Sequence, residues 1–133
     1  MNIKLYQGKE IKQVLKPAKE FCQSVLYSAD DQIFEAIINS VSLAIAYNKD
    51  QIVGIGRTVG DRNRFTYIVD LVVSPKYRKQ GIGTKLVQAL AKSSHTRFIE
   101  LTTDPNYPGL ENFYKKAGFR FSKGEKVFEW PKK

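Results

Sequence analysis

The sequence predicts an α/β (α+β) domain built around one mixed β-sheet. Three observations carry this. Stretches with strand character alternate with amphipathic stretches of helical period along the whole chain. The run Phe65 to Val73 is β-branched and aromatic, the composition of a central strand, and it leads past Pro75 into glycines that open a helix. With 133 residues, 42% of them hydrophobic and 12% aromatic, the chain is read as one domain able to bury a core.

The elements follow in order. Ile3 to Tyr6 is short and extended. Lys9 to about Leu26 reads as mostly helical, with Pro17 starting or kinking a segment. Ser28 and Asp31 have the spacing of a capping box ahead of Ile33, Phe34, Ile37 and Ile38, which share one helical face. Ser42 to Tyr47 and Gln51 to Val59 read as a hairpin turning at Asn48-Lys49-Asp50. Gly60 to Arg64 is polar and turn-like. After the strand Phe65 to Val73, a helix is expected from about Gly81 to Ser93, with Ile82, Leu86, Val87 and Leu90 inward. Phe98 to Thr102 reads as a short strand. Leu110 to Lys116 reads as a short helix that Gly118 terminates in the left-handed conformation. Two closing strands are expected around Phe119 to Phe121 and Val127 to Trp130. There is no linker, repeat or low-complexity stretch, so residues 1–133 are taken as a single domain.

Composition narrows the function. Lys plus Arg number 22 against 13 Asp plus Glu, a formal charge of +9. That surplus points to a polyanionic partner: nucleic acid, an acidic membrane surface or a phosphorylated cofactor. The basic residues are spread from Lys4 to Lys133, which argues against a disordered nucleic-acid arm. No apolar run reaches the roughly 18 residues of a spanning helix, so no membrane partner is expected. Met1 to Gly8 lacks the apolar stretch of a signal peptide, and a cytoplasmic location is expected. The single cysteine, Cys22, reads as a buried small hydrophobe. With one histidine, His95, in a surface loop, no metal is expected.

The most informative stretch runs from Val72 through Ser74-Pro75-Lys76-Tyr77-Arg78-Lys79-Gln80-Gly81-Ile82-Gly83-Thr84-Lys85 to Leu86. A strand enters a basic loop, and the loop enters a helix opened by glycines. The first turn of a helix has free N–H groups and the positive end of the dipole, so it attracts phosphate. Gly81 and Gly83 let the backbone approach an anion, Arg78, Lys79 and Lys85 add charge, and Thr84 adds a hydroxyl. The Walker pattern is excluded because Gly83 is followed by Thr84-Lys85 in the wrong order. The dinucleotide fingerprint is excluded because Leu86 stands at its third glycine. Gly54-Ile55-Gly56 fails likewise at Val59, and its glycines read as places of close packing or a bulge.

Arg78-Lys79-Gln80-Gly81-Ile82-Gly83, preceded by Val73-x-Pro75-x-Tyr77, matches the pattern Arg/Gln-x-x-Gly-x-Gly/Ala. Downstream, Asn112-Phe113-Tyr114-Lys115-Lys116-Ala117-Gly118-Phe119 supplies a second hallmark. Together, and in this order, they resemble the Gcn5-related N-acetyltransferase (GNAT) superfamily, whose members bind acetyl-coenzyme A. The resemblance covers nearly the whole chain, although the N-terminal third matches only in pattern.

The resemblance implies a mostly antiparallel sheet of six to seven strands with a splayed parallel central pair and about four flanking helices. It implies an acetyl-CoA-dependent enzyme that acetylates a primary amine of a small molecule or peptide by direct attack in a ternary complex, with a possible homodimer and no nucleic-acid partner. Leu71, Val72 and Val73 would hydrogen-bond the pantetheine arm, and an N–H near Val72 would polarise the acetyl carbonyl. The pyrophosphate would sit on the amides from Lys79 to Thr84, so Arg78, Lys79, Gln80, Gly81, Ile82, Gly83, Thr84 and Lys85 are the expected cofactor residues. Many relatives carry an Asn seven positions before the tyrosine. That position is Tyr107 here, and the neighbouring Asn106 is carried over in its place.

Tyr114 matches the family's general acid for the leaving thiolate, and read by itself it is also a half-buried aromatic beside Phe113. Asp70 is the first candidate base. Strict alternation puts it on one strand face with Ile68 and Val72, and an ion pair with Arg57 is its other reading. Glu100 is the second candidate base. Tyr27, Phe34, Arg57 and Asp70 are the candidate acceptor residues. Two other functions fit less of the chain: an acetyl-CoA-binding module without catalysis, and a basic nucleic-acid-binding module.

Overall fold

The computed structural model describes residues 1–26, 30–122 and 126–131. Strands β1 (Asn2–Gln7), β2 (Ser42–Asn48), β3 (Gln51–Gly60), β4 (Phe65–Val73) and β5 (Phe98–Glu100) form one sheet in the order β1-β2-β3-β4-β5. The first three neighbouring pairs are antiparallel and β4–β5 is parallel. Four helices flank it: α1 (Leu15–Val25), α2 (Ile33–Ile38), α3 (Ile82–Ser93) and α4 (Gly109–Ala117).

Each face of the sheet has its own core. Strand β2 shows why, because its alternation is apolar on both sides. Leu43 and Ile45 pack with Ile11, Val14, Ala18, Cys22, Ile33 and Ile37 from the N-terminal 3-10 segment, α1 and α2. Ala44 and Ala46 face the other way, against Ile82, Leu86, Val87 and Leu90 of α3 and Ala117 of α4. The small residues let α3 lie close. A β-carbon at Gly54 or Gly56 would sit 2.9 Å from the Cδ1 of Leu86 or Leu90.

The helices show how local sequence sets boundaries. The first helical region is two pieces, a 3-10 segment over Gly8–Val14 and then α1, with Pro17 accommodated in the first turn of α1. The expected capping box falls on Ser28 and Asp31. Ser28 lies outside the described residues, and α2 begins one residue after Gln32, whose N–H is accepted by Asp30 Oδ1 at 2.9 Å. Gly118 closes α4 at φ 113°, as expected.

The six to seven strands implied by the resemblance are not matched: among the described residues the sheet has five. Neither Phe119 to Phe121 nor Val127 to Trp130 forms a strand. A strand needs a neighbour's ladder. Here β5 is three residues long, and Phe121, Ser122, Val127 and Phe128 stand across a cavity of about 570 Å³ from Ile99 and Glu100. Phe128 and Trp130 are accordingly 90% and 84% exposed. Among the described residues no helix is long and apolar enough to cross a membrane.

Candidate active site

Strand β4 pairs with β5 only where Phe65, Thr66 and Tyr67 oppose Phe98, Ile99 and Glu100. From Ile68 onward no described β5 residue opposes it. The parallel strands therefore part, and the edge of β4 turned away from β3 carries no ladder over Leu71, Val72 and Val73. This open edge runs directly into the basic loop.

The loop leaves backbone donors free. Lys79 and Gly81 both adopt left-handed conformations, at φ 64° and 82°. Gly81 caps α3 without a side chain, and the first intrahelical bond runs from Lys85 N–H to the Gly81 carbonyl at 3.1 Å. The amides of Ile82, Gly83 and Thr84 precede that ladder, so they are orphan donors at the positive end of the helix. A β-carbon at Gly81 would meet nothing within 4 Å, so the backbone angle alone calls for glycine there. Gly83 differs. A β-carbon there would lie 3.1 Å from Phe113 Cζ, so this glycine lets α4 close on α3, a packing role the motif did not reveal. Arg78 Nε donates to the Val73 carbonyl (2.9 Å), and Asn48 Nδ2 donates to the Tyr77 hydroxyl (3.0 Å), which ties the loop to β4 and β2. Lys79, Gln80 and Lys85 are exposed.

Asp70 sits on a β-bulge. Ile55 opposes Val72 and Arg57 opposes Val69, so Asp70 and Leu71 together face the single residue Gly56. Asp70 takes φ 53°, a left-handed angle that aspartate tolerates better than its β-branched neighbours. The bulge breaks the alternation expected from the sequence. Ile68 packs on the α3 side while Val72 packs on the α1–α2 side. Asp70 does not stand alone: Arg57 Nε donates to its Oδ2 at 2.8 Å. The Arg57 Nη1 also donates to the Ala36 carbonyl and to Ser40 Oγ, both at 3.3 Å. The ion pair with Arg57 expected as the other reading of Asp70 is present. Cys22 lies within the reach of its charge. Burial first, and then the Asp70 carboxylate, push that thiol up to about 11.

Tyr114 and Glu100 line the same 570 Å³ cavity, with Tyr67, Ile99, Leu101 and Thr102. The Tyr114 ring makes edge contacts with Phe113 (4.9 Å between centroids) and Phe119 (5.9 Å). Burial raises its phenol above the ordinary tyrosine value. Neither the phenol oxygen nor the Glu100 carboxylate is engaged by a side chain among the described residues. Asp70 is not part of this lining, so the structure divides the three candidate catalytic groups between two places.

The remaining candidates scatter. Tyr27 lies outside the described residues. Phe34 is half-buried on α2, with Lys19 Nζ 5.5 Å from its ring centroid. Asn106 is exposed in a turn where its N–H is accepted by Asp104 Oδ1 at 2.9 Å. The sequence reading allowed a bulge at Gly54 and Gly56, and one stands opposite Gly56; what it did not place is the extra residue, Asp70, on the facing strand.

The model of the acetyltransferase (GNAT) family matches residues 9–119. The chain belongs to this family. The GNAT chain is similar in structure to the acetyltransferase SP0256 from Streptococcus pneumoniae TIGR4, with TM-score 0.80 and 24% identity, covering 98% of this chain and 97% of that one. It is also similar to AAC(6')-Iy in complex with the bisubstrate analogue CoA-S-monomethyl-acetylneamine, with TM-score 0.75 and 16% identity over 100% and 99% of the two chains. A third similar structure is the aminoglycoside acetyltransferase meta-AAC0020 from an uncultured soil metagenomic sample, with TM-score 0.73 and 17% identity over 99% and 96%. No curated sequence matches the chain. The GNAT assignment fits the residues present: orphan amides at Ile82 to Thr84, flanking Arg78, Lys79 and Lys85, and an open strand edge suit a ligand with a pyrophosphate and an amide-bearing arm.

Proposed function

We propose that this chain transfers the acetyl group of acetyl-CoA to a primary amine of a small molecule or peptide by direct attack in a ternary complex. The observation that carries the reading is the parting of β4 from β5 after Tyr67, which opens a strand edge leading into the orphan amides of α3. Acetyl-CoA supplies an activated thioester. Backbone groups of Leu71 to Val73 hold the arm, and an N–H near Val72 polarises the carbonyl. Lys79 to Thr84 hold the pyrophosphate, with Arg78 and Lys85 adding charge.

Tyr114 gives its proton to the departing thiolate. Its raised phenol value keeps that proton in place at neutral pH. Glu100, whose carboxylate is free on the same cavity, takes up the amine proton. Asp70 is a positioning residue, because Arg57 holds it at the bulge. The similar structures named as aminoglycoside acetyltransferases support a small polyamino acceptor as the first class to try.

The test is a thiol-release screen with acetyl-CoA over aminoglycosides, polyamines, amino acids, arylalkylamines and peptide N-termini. It is paired with melting curves, because a ligand that binds the native state raises Tm. A Tm rise with acetyl-CoA and thiol release with at least one amine is expected. A Tm rise with no release over the whole panel would leave a binding module, and no response to acetyl-CoA would overturn the reading altogether.

A further inference from the structure

A second cavity lies at the other end of the sheet, away from the phosphate loop. It holds about 260 Å³, several times the roughly 30 Å³ share of one water. It is lined by the start of β2 (Ser42), the end of β3 (Thr58), the start of β4 (Thr66) and the segment after α3 (Ser94, His95 and Thr96), with Arg62 and Gln7 beside them. The lining has six hydroxyl residues and no carboxylate.

Counting protons shows what this cavity wants. Thr66, Ser94 and Thr96 form a closed trio, with oxygens 2.6, 2.7 and 3.0 Å apart, and Thr96 passes one proton on to the Phe98 carbonyl. Three protons meet enough acceptors there. Ser42 and Thr58 are different. Their oxygens are 2.7 Å apart, and Thr58 Oγ1 already accepts from Ser42 N–H at 3.1 Å. Two hydroxyl protons share one contact, so the second proton has no acceptor among the described residues. Both residues are nearly fully buried, at 2% and 1% exposure, and both face the cavity. A buried donor without an acceptor is costly unless something in the cavity accepts from it.

The charge says what kind of acceptor. Arg62, an exposed residue of the lining, makes no ion pair or hydrogen bond with any described residue, which leaves its five N–H donors available. The nearest acid in sequence, Asp61, turns its Oδ1 onto the N–H groups of Asn63, Arg64 and Phe65. That carboxylate closes the turn and holds Arg62 in its left-handed conformation, φ 66°. His95 and Gln7 add further N–H groups. We infer that this cavity is a binding site for a phosphate group, with Arg62 as its charged anchor and the Ser42–Thr58 pair as its buried donor.

The test is a titration with inorganic phosphate at constant ionic strength, read by calorimetry, and repeated with glycerol phosphate to separate a free anion from a phosphomonoester. Phosphate could also enter the loop at α3, so the double variant Arg78→Gln/Lys79→Gln is run alongside. Arg62→Asn removes the charge with a residue that accepts the left-handed angle, so the fold is preserved. Ser42→Ala removes one hydroxyl as a second probe. Binding is expected to weaken by about tenfold in Arg62→Asn and to persist in the loop variant. Equal affinity in Arg62→Asn, loss in the loop variant alone, or no binding up to about 10 mM phosphate would each overturn the assignment.

Discussion

Arg57 and Asp70 meet at 2.8 Å across β3 and β4, and the same guanidinium reaches the Ala36 carbonyl of α2 and the Oγ of Ser40 just beyond it. One side chain thus joins the α1–α2 layer to the bulge beside the open edge of β4. Its side chain is 14% exposed and that of Asp70 is 25%, so the pair is shielded from water on most sides. Removing one partner strands the other. Arg57→Met should cost about 1–3 kcal/mol in urea unfolding, while Arg57→Lys keeps the charge and should recover only part, because lysine lacks the fork that serves three acceptors. A loss below about 0.5 kcal/mol for Arg57→Met would show that the pair does not hold the bulge.

The division of the carboxylates between two places gives a direct kinetic contrast. Glu100→Gln should lower kcat by roughly 10²-fold, the ordinary scale for losing a positioned base. Asp70→Asn keeps a residue that tolerates φ 53° and should lower kcat by less than about tenfold. The reverse order of effects would return the base to Asp70.

Tyr114→Phe removes the phenol and keeps the ring contacts with Phe113 and Phe119. Turnover should fall by roughly 10²-fold with coenzyme A affinity almost unchanged. The phenol acts in its protonated form and its value is raised, so the fall of kcat with rising pH should begin above the ordinary tyrosine value of about 10 and vanish in the variant. Unchanged turnover in Tyr114→Phe would remove the residue from the chemistry.

Two glycines in one motif should fail in different ways. Gly81→Ala strains a left-handed residue and should cost about 1 kcal/mol whatever its neighbours are. Gly83→Ala pushes on the Phe113 ring, and shortening the ring in Gly83→Ala/Phe113→Leu should restore much of what is lost. Melting curves of the two singles and the double decide this. A double no better than Gly83→Ala would mean that the ring is not the obstacle.

Cys22 is 2% exposed, and its thiol stands at about 11. At pH 8 it should be protonated and shut in, so a disulfide reagent should label it only as fast as the chain opens. Labelling should keep pace with the opening rate as urea is raised. Immediate stoichiometric labelling in native buffer would contradict the burial.

Most of the fold was legible because its signals are local. The span Phe65 to Val73 coincides with β4, Gly118 ends α4, and the inward residues of α3 are the expected Ile82, Leu86, Val87 and Leu90. The turn from Pro75 to Gly81 and the start of α3 were legible because glycine, charge and helix start are adjacent in sequence. What remained hidden depends on partners distant in the chain. Period-two reasoning put Ile68 and Val72 on one face, and the bulge allowed for at Gly54 and Gly56 was not carried across to the strand they face. Strand character in Val127 to Trp130 is equally local, but a strand also needs an edge, and β5 offers three residues of it. The charge of +9 likewise had no single owner in the sequence. Part of it gathers at Arg78, Lys79 and Lys85, and another part stands at Arg62 on the opposite end of the sheet.

The bulge has a consequence for what kinds of change this chain can absorb. Substitution at position 70 alters chemistry and strain but leaves the count of residues along β4 intact. Deletion of Asp70 would leave Leu71 alone facing Gly56 and make the ladder plain, while Leu71, Val72 and Val73 keep the partners and faces they have now. The bulge is thus an extra residue carried in phase. Its loss should cost the Arg57 ion pair and the local twist of β4, whereas a residue lost on either side of it would reverse the faces of everything β4 delivers to the open edge.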